Sequence, residues 1–292
     1  MTITQWFLFF LIIQVIHFLG TWKLYVKAGR QAWEAAIPVY NAVILMKIIH
    51  RPWWWTILLF IPIVNLIMFP VVWVETIRSF GKHSLMDTIL VVATFGLYIY
   101  YINYMADVTY IQDRSLHPRT AAGEWISSIL FAVIAATLVH TYLIQPFTIP
   151  TSSLEKTLLV GDFLFVSKFH YGARTPLTAV AFPMVHDTIP ILGVKSYLEK
   201  PQIPYFRLPG FEKIERSDIV VFNWPVDTMN NMYFTDKYYY KPIDKKTNYV
   251  KRAVGVAGDS LRIVDGKVIV YFELLKLPGR DKLQSISMLT SK

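Results

Sequence analysis

Residues 149–162 read IPTSSLEKTLLVGD: three hydroxyls, Thr151, Ser152 and Ser153, then an apolar run and a Gly-Asp turn. A serine hydroxyl becomes a useful nucleophile only beside a base. A local reading also exists, in which the two serines cap a short helical turn over SSLEK and leave Glu155 and Lys156 solvated. Histidine is the usual base. His17, His50, His83, His117 and His140 fall in or before the apolar part of the chain. His170 and His186 come later, and no acidic motif accompanies either. There is no G-x-S-x-G elbow and no H-E-x-x-H pair, which excludes hydrolase-elbow and zincin readings at the motif level. Lysine is the other base available, provided burial removes its proton. In YVKRAVGV, residues 249–256, strand alternation puts Lys251 on one face with Tyr249 and Ala253, and Arg252 on the other with Val250 and Val254. One of the two cations must face inward if the other faces out. A solvated lysine would stay an ammonium, with a pKa near about 10.4.

The elements that carry these residues divide the chain in two. Of 292 residues, 54% are hydrophobic, and the apolar excess lies before about residue 147. The mean hydropathy is +0.40, which favours a membrane region joined to one polar domain. The net charge of +9 suits cytoplasmic loops and anionic lipid. No block of five Lys or Arg points to nucleic acid, and none is expected as a partner. With no cysteine, thiol catalysis, disulfides and thiolate metal sites are excluded, and no metal or organic cofactor is implied.

Hydropathy predicts about four α-helical transmembrane spans in residues 1–146: 5–20, which is short for a span, then 52–75, 87–105 and 124–145. Residues 1–123 form the multi-span region and 124–146 the last helix. Pro62 and Pro70 should kink the second span. The amphipathic stretch within 21–51 should lie at the interface, with Trp33 and Tyr40 at headgroup depth. Lys23, Lys27, Arg30, Lys47 and Arg51, with Arg114 and Arg119 of the 106–123 loop, outnumber Arg78 and Lys82 of the 76–86 loop. The positive-inside rule then places the first two segments in the cytoplasm, and the N-terminus, the 76–86 loop and everything after 146 outside.

After residue 146 come short alternating runs, DFLFVSKF, DIVVFNWP, NYVKRAVGVAG and DSLRIVDGKVIV, bounded by Gly, Pro, Asn and Asp. They predict a mostly-β domain over 147–270, interrupted by a Pro-, Tyr- and Lys-rich insertion at 172–215 with little helical character.

IPTSSLEKTLLVGDFLFVSKFHYGAR, RSDIVVFNWP and NYVKRAVGVAGD, in that order, resemble the boxes of type I signal peptidases, and the likeness runs over about residues 124–268. The membrane region resembles the longer Bacteroidetes-type form. The resemblance implies a Ser-Lys dyad serine endopeptidase at the outer surface of the plasma membrane that cuts signal peptides from exported preproteins. Ser153 matches the nucleophile and Lys251 the general base. Thr151 matches a hydroxyl that joins the Ser153 backbone N–H in an oxyanion hole. Substrate would add as a strand along 147–151. Ile149, Pro150, Leu154, Leu158, Tyr249 and Val250 match positions lining small pockets for an Ala-x-Ala site. The likeness stops before the family's last box, a Gly-Asp-Asn/Ser-Arg element followed by Ser and Asp-Ser-Arg. In its place stands a divergent tail, 271–292, YFELLKLPGRDKLQSISMLTSK. The expectation is therefore a β domain incomplete at its C-terminus. The alternative function is an inactive truncated homologue that binds only peptide or membrane partners.

Overall fold

The structure, a computed structural model, describes residues 1–228 and 238–276. The chain forms two compact units: Met1–Leu138 with Pro176–Tyr205, and Val139–Thr175 with Phe206–Lys292.

The first unit is helical: α1 (Ile3–Lys27), α2 (Tyr40–Ile48), α3 (Trp55–Leu58), α4 (Val64–Ser79), α5 (Leu85–Ala93), α6 (Tyr98–Tyr104) and α7 (Ala121–Leu138). A capping box starts α1, with Thr2 Oγ1 accepting from the Gln5 backbone N–H and the Gln5 side chain accepting from Thr2 N. The helix is longer than its hydropathy core, because Thr21 to Lys27 continue it with a packed face ending on Leu24 and Tyr25. Ile3, Phe7, Phe9 and Ile12 of α1 are exposed, as are Trp125, Ile126, Ile129 and Phe131 of α7. Apolar faces of that size suit lipid better than water.

Among the described residues two helices, Ile3–Lys27 and the helical run Ala121–Leu143, are long and apolar enough to cross a membrane, and a third crossing results only if α5 and α6 count as one. The four spans expected from hydropathy are not all present as helices, and backbone geometry explains the difference. The 52–75 segment breaks between α3 and α4, at Pro62 and at Ile63 with φ of 71°. Pro70, the other expected kink, lies inside α4. The 87–105 segment bends by 116° between α5 and α6. Phe95 (φ 51°) and Gly96 (φ 84°) make that bend, and a Cβ on Gly96 would lie 2.8 Å from the Trp73 ring. Residues 32–48 also depart from the expected surface helix. Trp33 and Tyr40 do stack in an exposed pair. Yet Ile44, Met46, Ile48 and Ile49 are buried with Leu24, Tyr25, Ile77, Phe80 and Ile102 in the main core. Asn41 is satisfied there by Gln14 and by the Ala35 carbonyl.

The polar section Pro176–Tyr205, the middle of the expected insertion, clusters with this helical unit and carries no helix. It is pinned by backbone bridges Thr178–Gln202, Ala181–Tyr197 and Thr188–Lys195.

In the second unit, α7 gives way to a π-helical turn, Val139–Leu143, and then to β1 (Ile144–Thr148). A strand therefore begins where hydropathy extends the helix to 145. Pro146, with no N–H to donate, and the β-branched Ile144 and Thr148 favour the extended form. β1 pairs antiparallel with β2 (Phe163–Ser167), Phe147 facing Leu164. β3 (Ile219–Asn223) pairs with β4 (Asn248–Arg252). β5 (Leu261–Val264), β6 (Lys267–Val270) and β7 (Glu273–Leu274) form a meander, so the start of the expected tail forms a short strand. Residues 277–292, the rest of that tail, lie outside the described residues.

Candidate active site

Ser153 sits on a tight turn that closes the β1–β2 ladder. Beyond β1, Ile149 N donates to Asp162 O and Gly161 N donates to Ile149 O, each at 2.9 Å, so Ile149 is a buried anchor beneath the turn. Glu155 N returns to Ser152 O, and Leu158 N to Leu154 O, which winds 152–158 into consecutive turns. Backbone turns thus form over SSLEK, and Glu155 and Lys156 are exposed there. The Asp162 carboxylate accepts from Leu159 N at 2.7 Å and holds the Gly-Asp corner.

Lys251 comes from β4, directly across from Val220 of β3. Its Nζ is hydrogen-bonded to Ser153 Oγ, although 98 residues separate the two. Both residues are exposed. Tyr249, on the same strand face, places its ring 6.0 Å from Lys251 Nζ and packs edge-on against Trp224 at 5.2 Å. Thr151 and Pro150 are exposed on the approach to Ser153, while Leu154, Leu158, Tyr249 and Val250 are half-buried. No hydrogen bond joins Thr151 to Ser153 among the described residues.

Arg252 faces away from Lys251, as alternation requires. Its Nη1 donates to Ser217 O at 2.7 Å and its Nη2 to Thr157 Oγ1 at 3.2 Å. One guanidinium thus ties the lysine strand to the turn that carries Ser153. Ser217 N in turn donates to Ala253 O at 2.7 Å. Sequence reading singled out Arg252 only as the lysine's neighbour, because its partners lie 35 and 95 residues away. Strand β4 is braced at its start by Asp227, which accepts from Thr247 N and Oγ1 at 2.8 and 2.7 Å and pairs with the buried Lys241. Downstream, Asp259 accepts both arms of Arg216 at 2.8 and 2.6 Å and also Val256 N. The Arg216 hydrogen bonds, then the Val256 N–H, hold its carboxyl well below the usual carboxylate range.

His170 bonds to the nearby Ser167 Oγ at 2.5 Å and stacks on Phe169. No carboxylate is hydrogen-bonded to this histidine among the described residues. His186 belongs to the other unit. Another cation in this unit, Lys168, is half-buried; burial and then the nearby Arg174 push its ammonium below the ordinary lysine range. Its flanking apolar residues, FLFVSKF, were the available signal. Among the described residues no group of three or more His, Asp or Glu is placed to hold a metal ion.

A strand-borne lysine thus meets a turn-borne serine in a β unit that follows an apolar helix. Comparison with known proteins specifies the family. Residues 122–284 match the family described as "Signal peptidase, peptidase S26", and the chain belongs to it. Residues 33–113 match a second family, of unknown function. The chain is 30% identical over 178 residues to a signal peptidase I of Haemophilus influenzae, covering 53% of this chain and 42% of that protein. It is 28% identical over 152 residues to signal peptidases I of Rickettsia massiliae and Rickettsia felis, covering 52% of this chain and 44% of each. The chain therefore spans less than half the length of these curated relatives. No solved structure matches it.

Proposed function

We propose that this chain is a multi-pass plasma-membrane serine endopeptidase that removes signal peptides from exported preproteins, with Ser153 as nucleophile and Lys251 as general base. The observation that carries the reading is the hydrogen bond between Lys251 Nζ and Ser153 Oγ across 98 residues of sequence, in a chain of the signal peptidase family. The neutral Lys251 amine takes the Ser153 proton as Oγ attacks the scissile carbonyl carbon. The tetrahedral oxyanion is met by the Ser153 backbone N–H and the Thr151 hydroxyl. Collapse breaks the C–N bond, and the Lys251 ammonium returns its proton to the leaving amine. Lys251 then deprotonates the water that hydrolyses the ester. An amine in open water is protonated at neutral pH, so the step needs water excluded. A peptide laid over Ser153 and Tyr249 would cover Lys251 and supply that exclusion.

The free edge of β1 supports strand addition by substrate, since β1 is hydrogen-bonded only to β2 among the described strands. Small pockets for an Ala-x-Ala site would be lined by Ile149, Pro150, Leu154, Leu158, Tyr249 and Val250. The charge bias of the loops puts Lys27 on the cytoplasmic side and the peptidase unit outside.

The test is cleavage of a detergent-solubilised preprotein bearing an Ala-x-Ala site by the whole chain, by Ser153→Ala and by Lys251→Ala. Cleavage lost in both variants supports the dyad. Cleavage that survives Lys251→Ala refutes it, and a folded wild-type chain that never cleaves leaves the peptide-binding homologue as the function.

A further inference from the structure

The connections between the helices of residues 28–114 return repeatedly to one end of α1. With about 1.5 Å of rise per residue, α1 serves as a ruler, Phe10 lying about 25 Å from Lys27 along the axis. Three excursions leave the Lys27 end and return to it. In the first, the chain climbs until Asn41 meets Gln14, then α2 descends to Ile48 and Ile49. In the second, α3 rises to the break where Phe60 packs against Phe10 at 6.2 Å, and α4 descends to Glu75 and Ser79. In the third, α5 leads to the 116° bend. α6 then runs back along α1, Tyr100 reaching the Ile16 carbonyl and Asn103 reaching Leu24 N.

The three return points are joined to one another. Glu75 accepts from Arg51 at 3.2 Å and from Arg114 at 2.5 Å. Tyr110 Oη donates to Ile48 O, Arg114 to Ile49 O, and Ile111 N to Ser79 O. Lys27 Nζ donates to Val108 O, which ties this cluster to the end of α1. Two short broken helices leave backbone groups at their apices that neighbouring helices must satisfy, a state tolerated where the chain is packed against protein. Tyr98 N, bonded to Thr94 Oγ1, is one such repair at the α5–α6 bend.

We propose that residues 28–120 do not cross the bilayer but enter and leave it on the side of Lys27, so that their basic loops form one cationic surface fitted to the anionic headgroups of that leaflet. Lys27, Lys47 and Arg119 are exposed on this side, with Arg78 and Lys82 half-buried beside them. His83 is set among the same loops: burial, and then Arg119, Arg114 and Arg78, hold its imidazole below the ordinary range. The arrangement also brings Arg78 and Lys82, which the four-span reading sends to the outer face, to the same side as the other basic loops. With only α1 and α7 crossing, parity still delivers the peptidase unit to the side of the N-terminus.

The chain has no cysteine, so single cysteines can be read without background. Lys82→Cys and Met86→Cys report on the 76–86 loop, Ser115→Cys on a loop that both topologies place with Lys27, and Lys213→Cys on the peptidase unit. A membrane-impermeant maleimide is applied to intact and to permeabilised cells expressing the full chain. The proposal expects the loop to label only after permeabilisation, in step with Ser115→Cys. Labelling from outside in step with Lys213→Cys overturns it, as does a loop that reacts only in denaturing detergent. If one loop variant fails to accumulate, the other decides. The comparison is of Lys82 with Ser115, so it is independent of catalysis; a Lys213→Cys on the Ser115 side would instead sink the proposed orientation of the peptidase. For the lipid surface, the full chain is melted in phosphatidylcholine nanodiscs with and without phosphatidylglycerol. Anionic lipid should raise the melting temperature, and the shift should be lost in Lys47→Glu/Lys82→Glu. An unchanged shift in that double variant overturns the headgroup assignment.

Discussion

Replacing Arg252 by Met removes a clamp without touching either member of the proposed dyad. Among its interactions are hydrogen bonds to two neutral acceptors, Ser217 O at 2.7 Å and Thr157 Oγ1 at 3.2 Å. A hydrogen bond involving a charged group contributes about 1.5–3 kcal/mol. The second bond is long and Arg252 is half-buried, so solvent screening reduces the pair to about 2 kcal/mol together. Met preserves much of the stem packing, so the polar loss dominates. The effect on cleavage should exceed that on folding. Thr157 lies four residues past Ser153 on a turn held mostly by local backbone bonds, and Lys251 precedes Arg252 on β4. Loosening the clamp separates the two reacting groups, and a displacement of about 1 Å costs on the order of 100-fold in rate. Cleavage by Arg252→Met in detergent should therefore fall about 10- to 100-fold in kcat with KM little changed. Arg252→Lys, a point charge without the two-armed fork, can serve one acceptor and should fall between. A variant that melts earlier but keeps full kcat over the folded range would refute the positioning role.

Other substitutions test the framework. Glu75→Gln leaves Arg51 and Arg114 facing each other with side chains 22% and 5% exposed, and should destabilise the helical unit by about 3–5 kcal/mol in thermal melts in detergent. Asp259→Asn should lower stability at neutral pH. The native carboxyl titrates below its ordinary 3.8, so the stabilisation it provides is complete above that pH and fades as the pH falls further. The melting difference between wild type and Asp259→Asn should accordingly narrow in acid; a gap constant with pH would exclude a titrating cause. Gly172→Ala should cost at least about 2 kcal/mol, because φ is +80° and the new Cβ would meet Leu208 O at 2.0 Å; proteolysis of the β unit would report it.

What hydropathy could reveal was the division into apolar and polar halves and the identity of the outer helices. Pro62 marked one break, but hydropathy could not reveal that the segments break rather than bend, because Ile63 and Phe95 adopt positive φ while being as apolar as any helix residue. Nor could it mark the end of α7, where IQPFT continues the apolar run but pairs as a strand with FLFVS. At the site, alternation alone separated Lys251 from Arg252, and the strand in the structure has that phase. The resemblance named Ser153 and Lys251, and the structure brings those two side chains together. The ties made by Arg252, Asp227 and Asp259 were not legible, since each depends on a partner from a distant turn whose position only the fold defines.

Under the proposed peptidase function, the edge of β1 left unpaired among the described strands has a consequence for what could be cut. A guest strand must present several consecutive residues with their amides free, so a segment already committed to a helix or buried in a folded domain cannot be accepted. Selection would then rest on local disorder as much as on side-chain size, and a mature domain would be spared by being folded, whatever small-residue pairs its sequence contains.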